Sequence, residues 1–190
     1  MNKKLKFLAG GIALILAGIY FQSHHIMPQV AGISFDRSIK AMEGQPIKVA
    51  QVIDGDTIVL INGDHLRYIG IDTPEEFDQR KPVQCFAKEA AEANRKLVEG
   101  KTIKFYKDIN QFDKYGRWLG FVYLEDGTFV NEELVRSGYA FAYDYVPDIS
   151  KSGQLRADET YAREHRLGLW SGQCQITTLK GGREQTNAVK

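Results

Sequence analysis

The sequence predicts an α+β fold: a five-stranded β-barrel decorated with about three α-helices and preceded by an N-terminal apolar segment. Three observations carry this expectation. Strand-forming runs are separated by the turn signals Asp54-Gly55 and Asn62-Gly63-Asp64. A helical pattern of small and apolar residues follows, and then two further strands lead into more helical stretches. A chain of 190 residues with 43% hydrophobic content is long enough to bury one core, and its length favours a single domain.

In chain order, Lys3, Lys4 and Lys6 precede a continuous apolar run from Phe7 to Phe21. That run is short for a relaxed membrane span and suits a signal-peptide core. Residues 1–22 are therefore expected to be a signal peptide or an uncleaved signal anchor, with the remainder outside the cytoplasm. Residues 23–45 are polar, with Pro28 and little periodicity, and are expected to be a linker. From Ile47 the pattern turns to β, through Val49 and Val52-Ile53 into the Asp54-Gly55 turn. Thr57 to Ile61 forms the second strand, and Leu66 to Ile71 the third. Ala87, Ala90, Ala91, Ala93, Leu97 and Val98 mark a helix that Gly100 stops. Thr102–Tyr106 and Trp118–Leu124 are strands, and Asp126-Gly127 closes a further hairpin. Asn131 is placed to cap a short helix ending at Gly138. A last helix is expected over 152–166, stopped near Gly168.

Three strands, a helix, two strands and then helices is the order of an oligonucleotide/oligosaccharide-binding (OB) barrel with helical decorations. An α+β sandwich of the same elements is the alternative. The folded domain is expected over 46–175, and the polar tail over 176–190 is expected to be disordered. In an exported protein the pair Cys85 and Cys174 invites a disulfide, the alternative being two unrelated buried thiols. Closing a loop of roughly 90 residues corresponds to about 4–5 kcal/mol in the chain-entropy model.

The formal net charge is +1, but the apolar leader carries three lysines and no acid, so residues 22–190 hold 22 basic and 24 acidic side chains. A domain that grips nucleic acid by its overall field is clearly basic, and this one is not. A polyanion must be met by a local cluster or a bound cation. One stretch has the ingredients. Ile53 to Glu75 carries Asp56, Asp72 and Glu75 with Arg67, and the downstream DKYGR at 113–117 adds Arg117. Carboxylates hold a hard divalent cation and activate water, while guanidinium groups neutralise a phosphate gaining charge in the transition state. On a straight strand Arg67 and Asp72 would face opposite ways, so a shared site requires a bend, with Gly70 the natural place.

At these residues the sequence resembles the staphylococcal nuclease (thermonuclease) family. The resemblance spans about Ile47 to Ser171 and rests on IDGDT (53–57), an arginine followed after four residues by DTPE (67–75), DKYGR (113–117), NEELVRSGYA (131–140) and LW (169–170). It implies an OB-type barrel in which Asp56 and Asp72 ligate calcium through their carboxylates and Thr73 through its backbone carbonyl. It implies Glu75 as the general base, and Arg67 and Arg117 as phosphate-binding arginines. Lys114, Tyr115 and Tyr143 match positions that contact the nucleotide, and Pro147 matches a proline that is often cis. The loop before DKYGR is one residue shorter than the family pattern, and the segment 76–82 differs in composition.

The implied function is an exported or membrane-anchored, calcium-dependent nuclease that hydrolyses DNA and RNA with little sequence preference and leaves 3′-phosphate ends. The expected partners are the two nucleic acids, plus the membrane if the leader is retained; the chain is expected to be monomeric. The alternative is a non-catalytic binding module of the same fold, which typically lacks these acids and arginines.

Overall fold

The structure is a computed structural model that describes residues 35–38, 40–76 and 82–189. The expected leader lies outside the described residues, as does most of the expected linker. Among the described residues no helix is long and apolar enough to cross a membrane.

The strands β1 (Ile47–Val52), β2 (Thr57–Leu60), β3 (His65–Tyr68), β5 (Thr102–Tyr106) and β6 (Trp118–Leu124) form a closed barrel in the order β1-β2-β3-β6-β5. Every pairing is antiparallel except β3 with β6, where Arg67 lies beside Leu119. Among the described residues three α-helices decorate it: α1 (Ala87–Val98), α2 (Val130–Arg136) and α3 (Ser152–Glu164). The interior is filled by Val49, Ile58, Leu60, Leu66, Ile103, Phe105 and Val122, all fully buried, with Leu134 and Leu155 closing the helix side. Branched and aromatic residues dominate because the pleated wall of a small barrel is best filled by them. The expected α+β barrel is the one observed.

Four details depart from the sequence reading, the first of them only in its strand bounds, since the bend expected at Gly70 is present. The third strand, expected over 66–71, breaks at Ile69-Gly70 into β3 and a two-residue β4 (Ile71–Asp72), which pairs with β7 (Phe141–Ala142) instead of with the barrel. Gly70 takes a left-handed φ of 77°, and a Cβ there would meet Leu155 Cδ1 at 2.5 Å, so the break needs glycine for both reasons. Asn131 does not cap α2, whose N-cap is Phe129. Its buried amide instead donates to Ile69 O at 2.8 Å and accepts from Val122 N at 2.9 Å, tying α2 to the break in the sheet.

The end of the expected linker packs against the barrel, with Ala41 buried and Gly44 N donating to Phe105 O at 2.9 Å. The fourth departure is the largest. The tail expected to be disordered from 176 forms a hairpin of β8 (Ile176–Thr178) and β9 (Glu184–Thr186). A covalent tie holds its base, since Cys85 and Cys174 are disulfide-bonded with Cα atoms 5.8 Å apart. Backbone bonds from Cys85 N to Asn187 O (2.8 Å) and Val189 N to Val83 O (2.8 Å) continue the attachment. A polar segment too poor in apolar residues to order itself is thus ordered by a crosslink and backbone pairing.

Candidate active site

The β1–β2 turn sets the first carboxylate. Asp54 Oδ1 accepts from Asp56 N at 3.0 Å, shaping the turn, and the buried Asn94 of α1 donates to Asp54 O at 3.0 Å while accepting from Tyr68 Oη at 3.0 Å. Gly55 lets this turn lie against the segment after β4, because a Cβ there would come within 2.7 Å of the Thr73 side chain. The result is that Asp56 Oδ2 accepts from both Thr73 N and Thr73 Oγ1 at 2.9 Å.

The break at Gly70 brings Asp72 to the same place. Arg67, on β3, bridges the two acids: Nη1 is ion-paired with Asp56 Oδ1, and Nη2 donates to Asp72 Oδ1 at 3.0 Å and to Tyr145 Oη at 3.0 Å. Asp56 and Asp72 therefore stand within one guanidinium of each other, and both are buried. Burial works against the charge of Arg67, but Tyr145, Asp72 and Asp54 outweigh it and hold the group protonated, its pKa raised. Burial pushes the Asp54 carboxyl up, against the pull of Arg67.

Glu75 stands at the rim, its side chain 35% exposed. Its position is set by a reciprocal pair with the buried Gln84: Glu75 N donates to Gln84 Oε1 at 2.8 Å and Gln84 N to Glu75 O at 3.0 Å. Burial raises the Glu75 pKa, and the neighbouring Asp72 adds to the effect against the pull of Arg67 and Arg183. A carboxylate with a raised pKa is a better proton acceptor than a free glutamate.

The opposite wall is the DKYGR turn. Asp113 accepts from Tyr115 N (2.8 Å), Arg117 N (3.0 Å) and Arg117 Nε (2.6 Å), which fixes the guanidinium at the head of β6. Burial alone would raise the Asp113 pKa, but these bonds outweigh it and hold the carboxyl below its usual range. Tyr115 is 72% exposed and is flanked by cations, with Lys114 Nζ 5.0 Å and Arg117 Cζ 5.7 Å from its ring centroid. Asp148 is buried and anchors this wall, accepting from Ile109 N, Asn110 N and Asn110 Nδ2 at 2.7–2.8 Å. The Val146–Pro147 peptide bond just before it is cis.

Between the walls lies a cleft of about 630 Å³ lined by Arg67, Glu75, Lys114, Tyr115, Arg117 and Tyr145, among others. Of the nine residues expected at the site, Arg67, Glu75, Lys114, Tyr115 and Arg117 line this cleft, while Asp56 and Asp72 are held by Arg67 and Thr73 is bonded to Asp56. Tyr143 does not line it; it packs edge-on against Tyr145, ring centroids 4.7 Å apart. Sequence reasoning missed Tyr145, Asn94, Asp148 and Arg183. Tyr145 had a signal in its two-residue spacing from Tyr143. Arg183 had none: it follows two glycines in a polar tail, yet its Nε donates to Asp72 Oδ2 at 2.7 Å and its Nη2 to Asp72 Oδ1 at 3.1 Å.

Among the described residues no three His, Cys, Asp or Glu side chains stand together at metal-ligating separation. The donor set nonetheless fits a hard divalent cation. Two buried carboxylates and a neighbouring backbone carbonyl are oxygen donors, and the carboxylates already gather positive charge from two guanidinium groups.

Residues 65–172 match the family model described as Staphylococcal nuclease homologue, a span that holds Arg67, Asp72, Glu75, Arg117 and Tyr145 and leaves Asp56 and Arg183 outside. The chain is similar to a thermonuclease of Staphylococcus hyicus, 30% identical over 170 residues that cover 88% of this chain and 99% of that one. It is similar to the endonuclease YncB of Bacillus subtilis, 36% identical over 154 residues, covering 78% of this chain and 72% of that one. It also matches the SPbeta prophage-derived endonuclease YokF of Bacillus subtilis, 37% identical over 152 residues, 76% of this chain and 51% of that one. With a match across more than half of its length and a relative aligned nearly end to end, this chain belongs to the staphylococcal nuclease family.

Proposed function

We propose that this protein is a calcium-dependent nuclease that hydrolyses phosphodiester bonds of DNA and RNA with little sequence preference, leaving 3′-phosphate and 5′-hydroxyl ends. The observation that carries the reading is that Arg67, Glu75 and Arg117 line one cleft while Arg67 pairs with both buried acids, Asp56 and Asp72. Family membership and relatives named thermonuclease and endonuclease support it.

Asp56, Asp72 and the Thr73 carbonyl would hold the ion, which when bound supplies Lewis-acid polarisation of the phosphate. The protein's own groups do the rest. Glu75 takes a proton from the attacking water as its oxygen bonds to phosphorus, and the departing 5′ oxygen leaves with its electron pair and is protonated by solvent. Arg117, steered by Asp113, offers its terminal nitrogens to the phosphate oxygens, and Arg67, whose own terminal nitrogens are held by Asp56, Asp72 and Tyr145, adds its positive charge from the floor. A guanidinium suits the task of Arg117 because it stays charged and grips two oxygens at once. Lys114 and Tyr115 border the strand's path, where an exposed ring is available for base stacking. Nothing in this set reads a base edge, which fits low sequence preference.

We place the protein outside the cytoplasm, secreted or membrane-anchored. Supporting this are the lysine-flanked apolar N-terminus and the Cys85–Cys174 disulfide, a bond that persists in oxidising compartments.

The test is release of acid-soluble nucleotides from DNA and RNA with calcium, magnesium or chelator in parallel. Glu75→Gln and Arg117→Lys should each lower the calcium-dependent rate by about 10²–10³, the scale of one lost transition-state charge partner. Wild-type rates in either variant, or full activity in chelator, would overturn the assignment.

A further inference from the structure

Among the described residues, the grip of the C-terminal hairpin on Asp72 is a contact at the site that the proposed chemistry does not use. Arg183 reaches it as a fork, Nε to Oδ2 at 2.7 Å and Nη2 to Oδ1 at 3.1 Å, and the same Nη2 lies 3.5 Å from Glu75 Oε1. Its Cζ stands 6.0 Å from the Tyr143 ring centroid. Both oxygens of a carboxylate that is only 3% exposed are thereby engaged by guanidinium, Oδ1 by Arg67 as well.

We propose that Arg183 is a built-in counter-cation for Asp72 and Glu75 that a divalent cation displaces, so that metal entry releases the tip of the β8–β9 hairpin from the cleft. The inference rests on the metal reading above. A hard cation binds a carboxylate oxygen at about 2.3–2.6 Å. An ion on Asp72 would thus lie next to the Arg183 charge while losing the lone pairs that the fork occupies. The two cations compete.

The hairpin is built so that its tip can yield while its base stays. At the base stand the disulfide, Thr186 Oγ1 donating to Cys85 O at 2.7 Å, Cys85 N to Asn187 O at 2.8 Å, and Asn187 N to Gln175 O at 2.9 Å. The tip turns through Gly181 and Gly182, at φ 92° and 83°, closed by Leu179 N to Arg183 O at 2.7 Å. Beyond the hairpin, Arg183 holds Asp72 and Glu75, and Glu184 pairs with Arg163 at the protein surface. A tethered cation of this kind acts at an effective concentration on the order of millimolar. It lowers the apparent metal affinity by the fraction of molecules in which it is docked.

The experiment uses the full chain and calcium chloride in isothermal titration calorimetry, comparing wild type with Arg183→Ala and Arg183→Lys. Arg183→Ala should bind calcium about tenfold more tightly, within the range of typical site-to-site couplings, with Arg183→Lys in between. In wild type, saturating calcium should raise amide hydrogen exchange over 179–184 and leave 85–88 protected. Equal or weaker calcium binding in Arg183→Ala overturns the inference while leaving the metal reading intact. Absence of calcium binding in every form overturns the metal reading and the inference with it. Should Arg183→Ala fail to fold, the wild-type exchange measurement decides: unchanged protection at the tip under saturating calcium refutes displacement.

Discussion

Replacing Asn131 with alanine removes one side chain and strands two backbone groups. The amide of Asn131 is fully buried, donates to Ile69 O at 2.8 Å and accepts from Val122 N at 2.9 Å. Both partners are themselves in the buried core, so water cannot replace the lost bonds. Each stranded group costs about 1–3 kcal/mol, giving about 2–6 kcal/mol in total. Against an expected stability of about 5–15 kcal/mol this is a large fraction. Urea unfolding followed by the fluorescence of Trp118 and Trp170 measures it, with an unchanged dependence on denaturant showing that the unfolded state is the same. Asn131→Asp keeps the acceptor for Val122 but turns a carboxylate oxygen towards the Ile69 carbonyl, and should be at least as unstable at neutral pH. A loss below about 1 kcal/mol in the alanine variant, or wild-type stability in the aspartate variant, would refute the reasoning.

Asp113→Asn should destabilise the protein by about 1 kcal/mol at neutral pH by weakening charge-assisted bonds to Arg117 and the turn. Because the folded-state pKa of Asp113 is depressed below 3.8, its contribution is present above that value and is lost as pH falls through the folded pKa; the gap between variant and wild type should close in acid. Gly70→Ala combines a left-handed φ with a Cβ 2.5 Å from Leu155 and should cost about 2–5 kcal/mol, read as a lowered Tm. Cys85→Ser with Cys174→Ser opens a loop spanning 89 positions and should lower stability by about 4–5 kcal/mol, measured by denaturant titration.

The barrel was legible in the sequence because its signals are local. Turn dipeptides, β-branched runs and the Ala-rich face of α1 each declare themselves within a dozen residues, and even the bend at Gly70 followed from the odd spacing of Arg67 and Asp72. Asn131 was misassigned for the opposite reason. An asparagine ahead of a helix has a common local use, and only the tertiary arrangement shows its amide spent on Ile69 and Val122. Tyr145 and Arg183 find partners that lie far off in the chain, Tyr145 meeting Arg67 across 78 positions and Arg183 meeting Asp72 across 111, so the spacing of Tyr145 from Tyr143 gave no sign of which residue it would hold. No residue pattern near position 183 encodes a carboxylate that has been brought there by a crosslink.

Those separations bear on when the site comes into being during synthesis. The acids lie between positions 54 and 75, whereas Arg117 is set beside them by the pairing of β6 with β3, and Tyr145 lies later still in the chain. Loop-closure entropy makes such long-range pairing a late event in folding. A chain in which β6 has not yet paired with β3 therefore carries the carboxylates without the wall to which Arg117 belongs.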